Sequence, residues 1–264
     1  MARLNPAQRR RRRRRVAVLA VVVVAVVAAL VVWDRHGADR RQSGPSPTWT
    51  PTPTSGAAAP APVAPTPTSG AAAPTPRYDR ARAQLSALLV KGWDRTQDFQ
   101  RWRFGKAWSD EVNVEFGHNG CNTRDDILRR DLANLVVRPG TCYAQTGTLH
   151  DPYTGATIDF VRGPDTSNSI EIDHVVSLAD AWYKGARSWD PQRRLDFAND
   201  PRNLLAVSPK ANFDKAFRDA ASWLPPNAAF RCDFVARQID VKSDYGLWLS
   251  AKEERAMADV LAHC

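Results

Sequence analysis

No two cysteines of this chain lie close enough to form a C-x-x-C pair. The four present are Cys121, Cys142, Cys232 and Cys264. That spacing argues against a structural zinc site, and an even cysteine count outside the cytoplasm reads instead as disulfides. Locality favours Cys121–Cys142 and Cys232–Cys264, and loops of that size each stabilise by about 3–4 kcal/mol when unstrained. The chain also lacks a charge excess where a folded domain could use one. Its formal charge is +9, yet residues 77–264 carry 26 basic and 26 acidic residues. A claim of nucleic-acid binding therefore cannot rest on net charge. Nor is there a regular βαβ period, which excludes a doubly wound parallel sheet and leaves the α+β class.

The positive excess sits at the N-terminus. Residues 1–15 include seven consecutive arginines, Arg9 to Arg15, and precede an uncharged stretch of Val, Ala and Leu over residues 16–33. Eighteen residues of helix span roughly 27 Å, enough to cross a bilayer. Arginines on one flank hold that flank in the cytoplasm and send the remainder outside. The expectation is an uncleaved single-pass anchor. A cleaved signal peptide is the alternative, but the apolar run is long for one and Trp33-Asp34-Arg35-His36 offers no small-x-small site.

Residues 34–76 are low in complexity and repeat Thr52-Pro53-Thr54-Ser55-Gly56-Ala57-Ala58-Ala59-Pro60 as residues 66–74. With little to bury and many prolines, this segment reads as an extended, disordered stalk. Residues 77–264 are long enough for one domain with its own core.

Within that domain, residues 80–90 read as a helix buried through Ala81, Leu85, Leu88 and Leu89. Thr123 reads as the N-cap of a helix over residues 124–135, with Leu128, Leu132 and Leu135 as its stripe. Residues 148–161 carry the hairpin signal Asp151-Pro152-Tyr153-Thr154-Gly155. The apolar run of residues 170–176 predicts a strand, followed by a helix over 178–185. A second short strand covers 203–207, a helix covers 209–221, and a last helix covers 252–262.

The chemistry concentrates around the first of those strands. Asp173 and His174 end the apolar run, and Asn203 and Asn212 follow. Adjacent residues on a strand point to opposite faces, but at a strand end they can splay toward one site. Asp173 is a hard oxygen ligand suited to Mg²⁺ or Mn²⁺, and Asn212 can add a second oxygen. His174 is the side chain best poised to take a proton from water. Asn203 is better placed as a brace for the backbone near His174. Those roles describe hydrolysis of a phosphodiester. Glu171 reads as a surface partner or a support for the ligands. His150 with Asp151 reads as part of the turn.

Asp173-His174, Asn203 and Asn212 resemble the HNH endonucleases with a ββα-metal motif, in the form that ends in asparagine. Cys121-Asn122-Thr123-Arg124-Asp125-Asp126-Ile127-Leu128, the segment 147–155 and Trp223-Leu224-Pro225-Pro226 extend the resemblance to a secreted or anchored bacterial branch. That branch is similar to the C-terminal nuclease domain of modification-dependent restriction enzymes. The resemblance implies a ββα core in a disulfide-containing domain, His174 as general base, Asp173 and Asn212 as ligands of a divalent metal, and Asn203 as a structural residue. It places Lys215 near phosphate, and Arg124 is a further candidate for phosphate contact. The implied substrate is DNA, with RNA the alternative. No protein partner is inferable. Ser177 stands where the family has proline, and Phe213, Asp214 and Ala216 replace a more polar run. The second reading is therefore an anchored binding module that keeps the fold without turnover.

Overall fold

The computed structural model describes residues 76–264. The arginine run, the apolar stretch 16–33 and all but the last residue of the Pro/Thr/Ala-rich segment lie outside the described residues. Among the described residues, no helix is long and apolar enough to cross a membrane.

The domain is α+β. In chain order its main elements are α1 (Pro76–Ala87), α2 (Thr123–Asp131), β1 (Leu132–Val137), β2 (Ala144–His150), β3 (Thr157–Val161), β4 (Glu171–His174), α3 (Leu178–Tyr183), α4 (Pro191–Asn199), β5 (Leu204–Val207), α5 (Pro209–Lys215), α6 (Arg231–Tyr245) and α7 (Ala251–Leu261). Short 3₁₀ turns connect them, one of which (Arg101–Phe104) lies beside the site described below. β1, β2 and β3 form an antiparallel meander, and β4 pairs antiparallel with β5 alone.

The β4–β5 pair is the centre of the fold because both its faces are covered. Ile172, Leu204 and Ala206 pack with α2 and the meander, whereas Leu205 and Val207 pack with α6 and α7. β5, covered on both faces, is apolar at every position and all four of its residues are buried. A third apolar cluster joins Phe104, Trp182 and Phe197 beneath α3 and α4.

Local sequence accounts for the boundaries. Ser177, Asp190, Ser208 and Ser250 cap α3, α4, α5 and α7 through their side-chain oxygens. Each satisfies a backbone N–H that the first helical turn leaves without a partner. Ser250 and Glu253 complete a reciprocal capping box, and Gly246 closes α6 in the left-handed conformation. Ser177, expected as a departure from a family proline, is thus a working cap.

Four expectations need correction. α1 starts and ends earlier than read, so Leu89 is exposed rather than buried. The helix expected over 124–135 stops at Asp131, and Leu132 and Leu135 belong to β1. Its cap is Asn122, which accepts from the Asp125 N–H, and Thr123 is the first helical residue. α5 stops at Lys215 because Ala216 takes a positive φ of 50°. The disulfides are Cys121–Cys142 and Cys232–Cys264, as locality suggested.

Candidate functional site

The turn after β4 carries the site, and two buried amides hold it. Asn203 is fully buried, and its Oδ1 accepts from the Val176 N–H at 2.8 Å while its Nδ2 donates to the Val176 carbonyl at 3.1 Å. One side chain therefore replaces a whole strand partner for the residue two beyond His174. The Asn203 carbonyl accepts from the Val175 N–H, and Gln238 on α6 donates to the Val175 carbonyl at 2.8 Å. Backbone groups that water cannot reach are thus paired on both sides of the chain, which fixes the turn in place.

His174 is buried, with its ring stacked on Trp108 at a centroid distance of 6.1 Å and an interplanar angle of 13°. Its Nε2 lies 2.9 Å from the Ala198 carbonyl. A carbonyl can only accept, so Nε2 carries the proton and the neutral ring leaves its lone pair on Nδ1. Among the described residues Nδ1 has no protein partner, and it is not one of the buried unpaired atoms. Burial, helped by nearby Arg101 and Lys215, lowers the His174 pKa from its usual value to about 3. The imidazole therefore stays neutral across the physiological range.

Asp173 points the other way from β4, as alternation requires, yet both residues line one open cleft. Its carboxylate takes the Tyr153 hydroxyl at 2.6 Å and the Lys215 ammonium at 2.9 and 3.1 Å. Burial raises its pKa in spite of both partners. Asn212, on the first turns of α5, also lines the cleft, and its Nδ2 donates to Glu171 at 2.6 Å. With its amide held that way round, Oδ1 is left free. Arg101 from the 3₁₀ turn lines the cleft and the smaller cavity on the other side of His174.

Four of the residues singled out from sequence, Asp173, His174, Asn203 and Asn212, are therefore within one compact unit of β4, β5 and α5. Neither residue expected to meet phosphate reaches the cleft. Lys215 is fully buried, spent on Asp173 and on the His174 carbonyl at 2.8 Å. Arg124 donates to the carbonyls of Ser167 and Ile170, bracing the chain as it enters β4. Tyr153, Gln238, Trp108 and Arg101 were not read as site residues. Tyr153 had a signal, since it stands in the Asp-Pro-Tyr-Thr-Gly turn; Gln238 had none.

Among the described residues, the acidic group close enough to hold a metal elsewhere is Asp180, Asp219 and Glu253. Its centre is already filled by the Lys184 ammonium, 2.5–2.8 Å from all three carboxylates.

Comparison with known proteins bears on the same region. The profile described as GmrSD restriction endonucleases, C-terminal domain, matches residues 122–260. That span takes in every element from α2 to most of α7. A chain from Arthroderma benhamiae described as an uncharacterized secreted protein is 36% identical over 191 residues, covering 72% of this chain and 87% of that one. No solved structure matches.

Proposed function

Since this chain belongs to the family of GmrSD restriction endonuclease C-terminal domains, we propose that it is a metal-dependent endonuclease hydrolysing phosphodiester bonds of DNA outside the cytoplasm. The carrying observation is the state of His174. A neutral imidazole with Nε2–H tied to a carbonyl and Nδ1 unpartnered, in the same cleft as Asp173 and Asn212, is a general base awaiting a water.

In this reading β4, β5 and α5 form the ββα unit of an HNH-type site. His174 Nδ1 takes the proton from the attacking water. The Ala198 carbonyl holds the ring in that tautomer and accepts the growing positive character through Nε2–H. Asn203 keeps the turn rigid so that the distance from base to water is set before substrate arrives. Tyr153 and Lys215 orient Asp173.

The donor set fits a hard divalent cation. Asp173 brings to the cleft wall a carboxylate oriented by Tyr153 and Lys215. Asn212 offers its free amide oxygen, fixed by Glu171. Two protein oxygens suit Mg²⁺ or Mn²⁺, which keep several waters, better than Zn²⁺. When bound, such an ion neutralises the scissile phosphate and the leaving oxygen.

The N-terminal organisation extends the proposal. Residues 1–15 stay in the cytoplasm, 16–33 anchor the chain, 34–76 form a stalk, and 77–264 act outside. Two disulfides support an oxidising location, and the A. benhamiae relative is described as secreted. Release after cleavage before the stalk leaves the same domain outside the cell.

The test is plasmid nicking by the full chain with Mg²⁺, Mn²⁺ or EDTA, beside His174→Ala. Nicking that requires the metal and vanishes in the variant is the expected result. A folded protein that cuts neither the plasmid nor a single-stranded oligonucleotide with either ion refutes the proposal.

A further inference from the structure

We propose that the cleft takes an unpaired strand, holding bases on exposed aromatic rings and a phosphate on Arg101. This rests on the nuclease reading for the purpose of the cleft and goes beyond it in naming the form of the substrate.

Large apolar side chains left in water are uncommon in clusters. Here three of the most exposed belong to two of the segments that line the cleft. Phe213 is 83% exposed and follows Asn212 directly; Phe217 is 58% exposed and lines the cleft itself; Trp102, 69% exposed, follows Arg101. None of the three belongs to an apolar cluster of the core. Lys215, between the two phenylalanines, is completely buried, so the end of α5 is pinned while Phe213 on the helix and Phe217 just beyond it are exposed.

The backbone at this edge supports the same conclusion. Ala216 sits in the left-handed region at φ 50°, where a residue with a Cβ is strained. The strain ends α5 at Lys215, two residues before Phe217, and the Ser177 hydroxyl donates to the Phe217 carbonyl at 3.4 Å.

The exposed rings favour an unpaired strand over a paired one. A duplex keeps its bases stacked on each other and is gripped by its phosphates, which calls for a broad basic surface. Residues 77–264 are formally neutral. An unpaired strand exposes base faces, which stack on aromatic rings whatever the sequence. Arg101 has no hydrogen-bonding or ion-pair partner among the described residues and is exposed at the cleft beside His174. A guanidinium free at that place suits a phosphate.

The experiment uses the full chain and a labelled oligonucleotide offered as a single strand, as a duplex of the same sequence, and as a strand with abasic positions. Single-strand cleavage faster than duplex cleavage is expected. Phe213→Ala and Phe217→Ala should each raise KM for the single strand about tenfold with kcat little changed. Phe217→Trp should keep the wild-type KM. Equal rates on both forms, or unchanged KM in both alanine variants, overturn the proposal. Binding is followed separately by fluorescence anisotropy with the His174→Ala chain in EDTA. If no metal supports cleavage, the nuclease reading falls, and anisotropy still decides this one. Single-strand affinity that drops about tenfold without the Phe217 ring or without bases supports stacking. Affinity indifferent to both, or no binding, overturns it.

Discussion

Replacing Lys184 with methionine should destabilise the domain severely, whereas Glu253→Gln, in the same buried cluster, should not. Lys184 contacts Asp180, Asp219 and Glu253 at 2.5, 2.8 and 2.5 Å, and Lys242 contacts Asp180 and Glu253 at 2.7 and 2.8 Å. All five side chains are no more than 5% exposed. The contacts to Asp180 Oδ1 and Glu253 Oε1 are ion pairs without hydrogen-bond alignment. Three carboxylates face two ammonium groups, so the cluster is neutral only when it holds one extra proton. Burial, reinforced by the Asp180 charge, raises the Glu253 pKa, whereas Lys242 and Lys184 hold Asp180 below its usual value despite burial. The cluster's extra proton is therefore drawn toward Glu253, the carboxylate whose pKa burial raises.

Lys184→Met removes one ammonium and leaves carboxylates uncompensated, a change that costs about 3–5 kcal/mol. For a domain of this size that is roughly 6–20 °C in Tm. Glu253→Gln supplies permanently what the proton supplies, and glutamine also serves in the capping box, so its cost stays within about 1 kcal/mol. The pH dependence follows in sign. A folded pKa above the unfolded value means that the native state holds the proton more tightly. Wild-type stability from this group is present at low pH and lost as pH rises toward the folded value. Glu253→Gln removes that loss, so its Tm relative to wild type should improve from pH 5 to pH 8. Thermal melts followed by tryptophan fluorescence measure both effects. If the glutamine variant loses as much as the methionine variant, or its relative Tm falls with pH, the charge assignment is refuted.

Other changes have equally definite outcomes. Asn203→Ala orphans two buried backbone groups at Val176 and should cost about 2–5 kcal/mol in urea unfolding; a loss below about 1 kcal/mol would show that the turn is held by other contacts. Reducing the disulfides should lower Tm, with Cys232→Ser alone costing about 3–4 kcal/mol, and an unchanged melting curve in dithiothreitol contradicts a stabilising role. Lys215→Met should unfold the site by leaving Asp173 buried and unpaired, while Arg124→Ala should reduce stability without changing KM for an oligonucleotide. A selective rise in KM for Arg124→Ala would return that residue to the substrate.

The β4–β5 centre was legible because its residues obey simple rules. A short β-branched apolar run signals a strand covered on both faces, and the polar residues that interrupt such a pattern belong to a site. α6 escaped notice for the opposite reason. It is buried on several sides, and Gln238 and Lys242 lie among Phe234, Val235 and Ile239 in its interior, so no clean stripe appears. Leu128, Leu132 and Leu135 recur at helical spacing, yet the chain leaves the helix at Leu132, and Asn134 bends it with a positive φ. The length of α5 was misjudged because alanine at position 216 gives no hint of a left-handed residue. Lys215 was read as a phosphate contact because a sequence cannot say which lysines are buried; only the fold shows its ammonium against Asp173.

The rings on the cleft rim have a consequence for how this protein can change. Phe213, Phe217 and Trp102 belong to no core cluster, so mutating them does little to folding, whereas Asn203, Lys215 and Gln238 a few ångströms behind are bound into the interior. Preference for substrate and competence to fold are thereby inherited through different residues. On the proposed roles, a lineage can trade one rim ring for another and explore new targets while His174, Asn203 and the scaffold pass unaltered from parent to descendant.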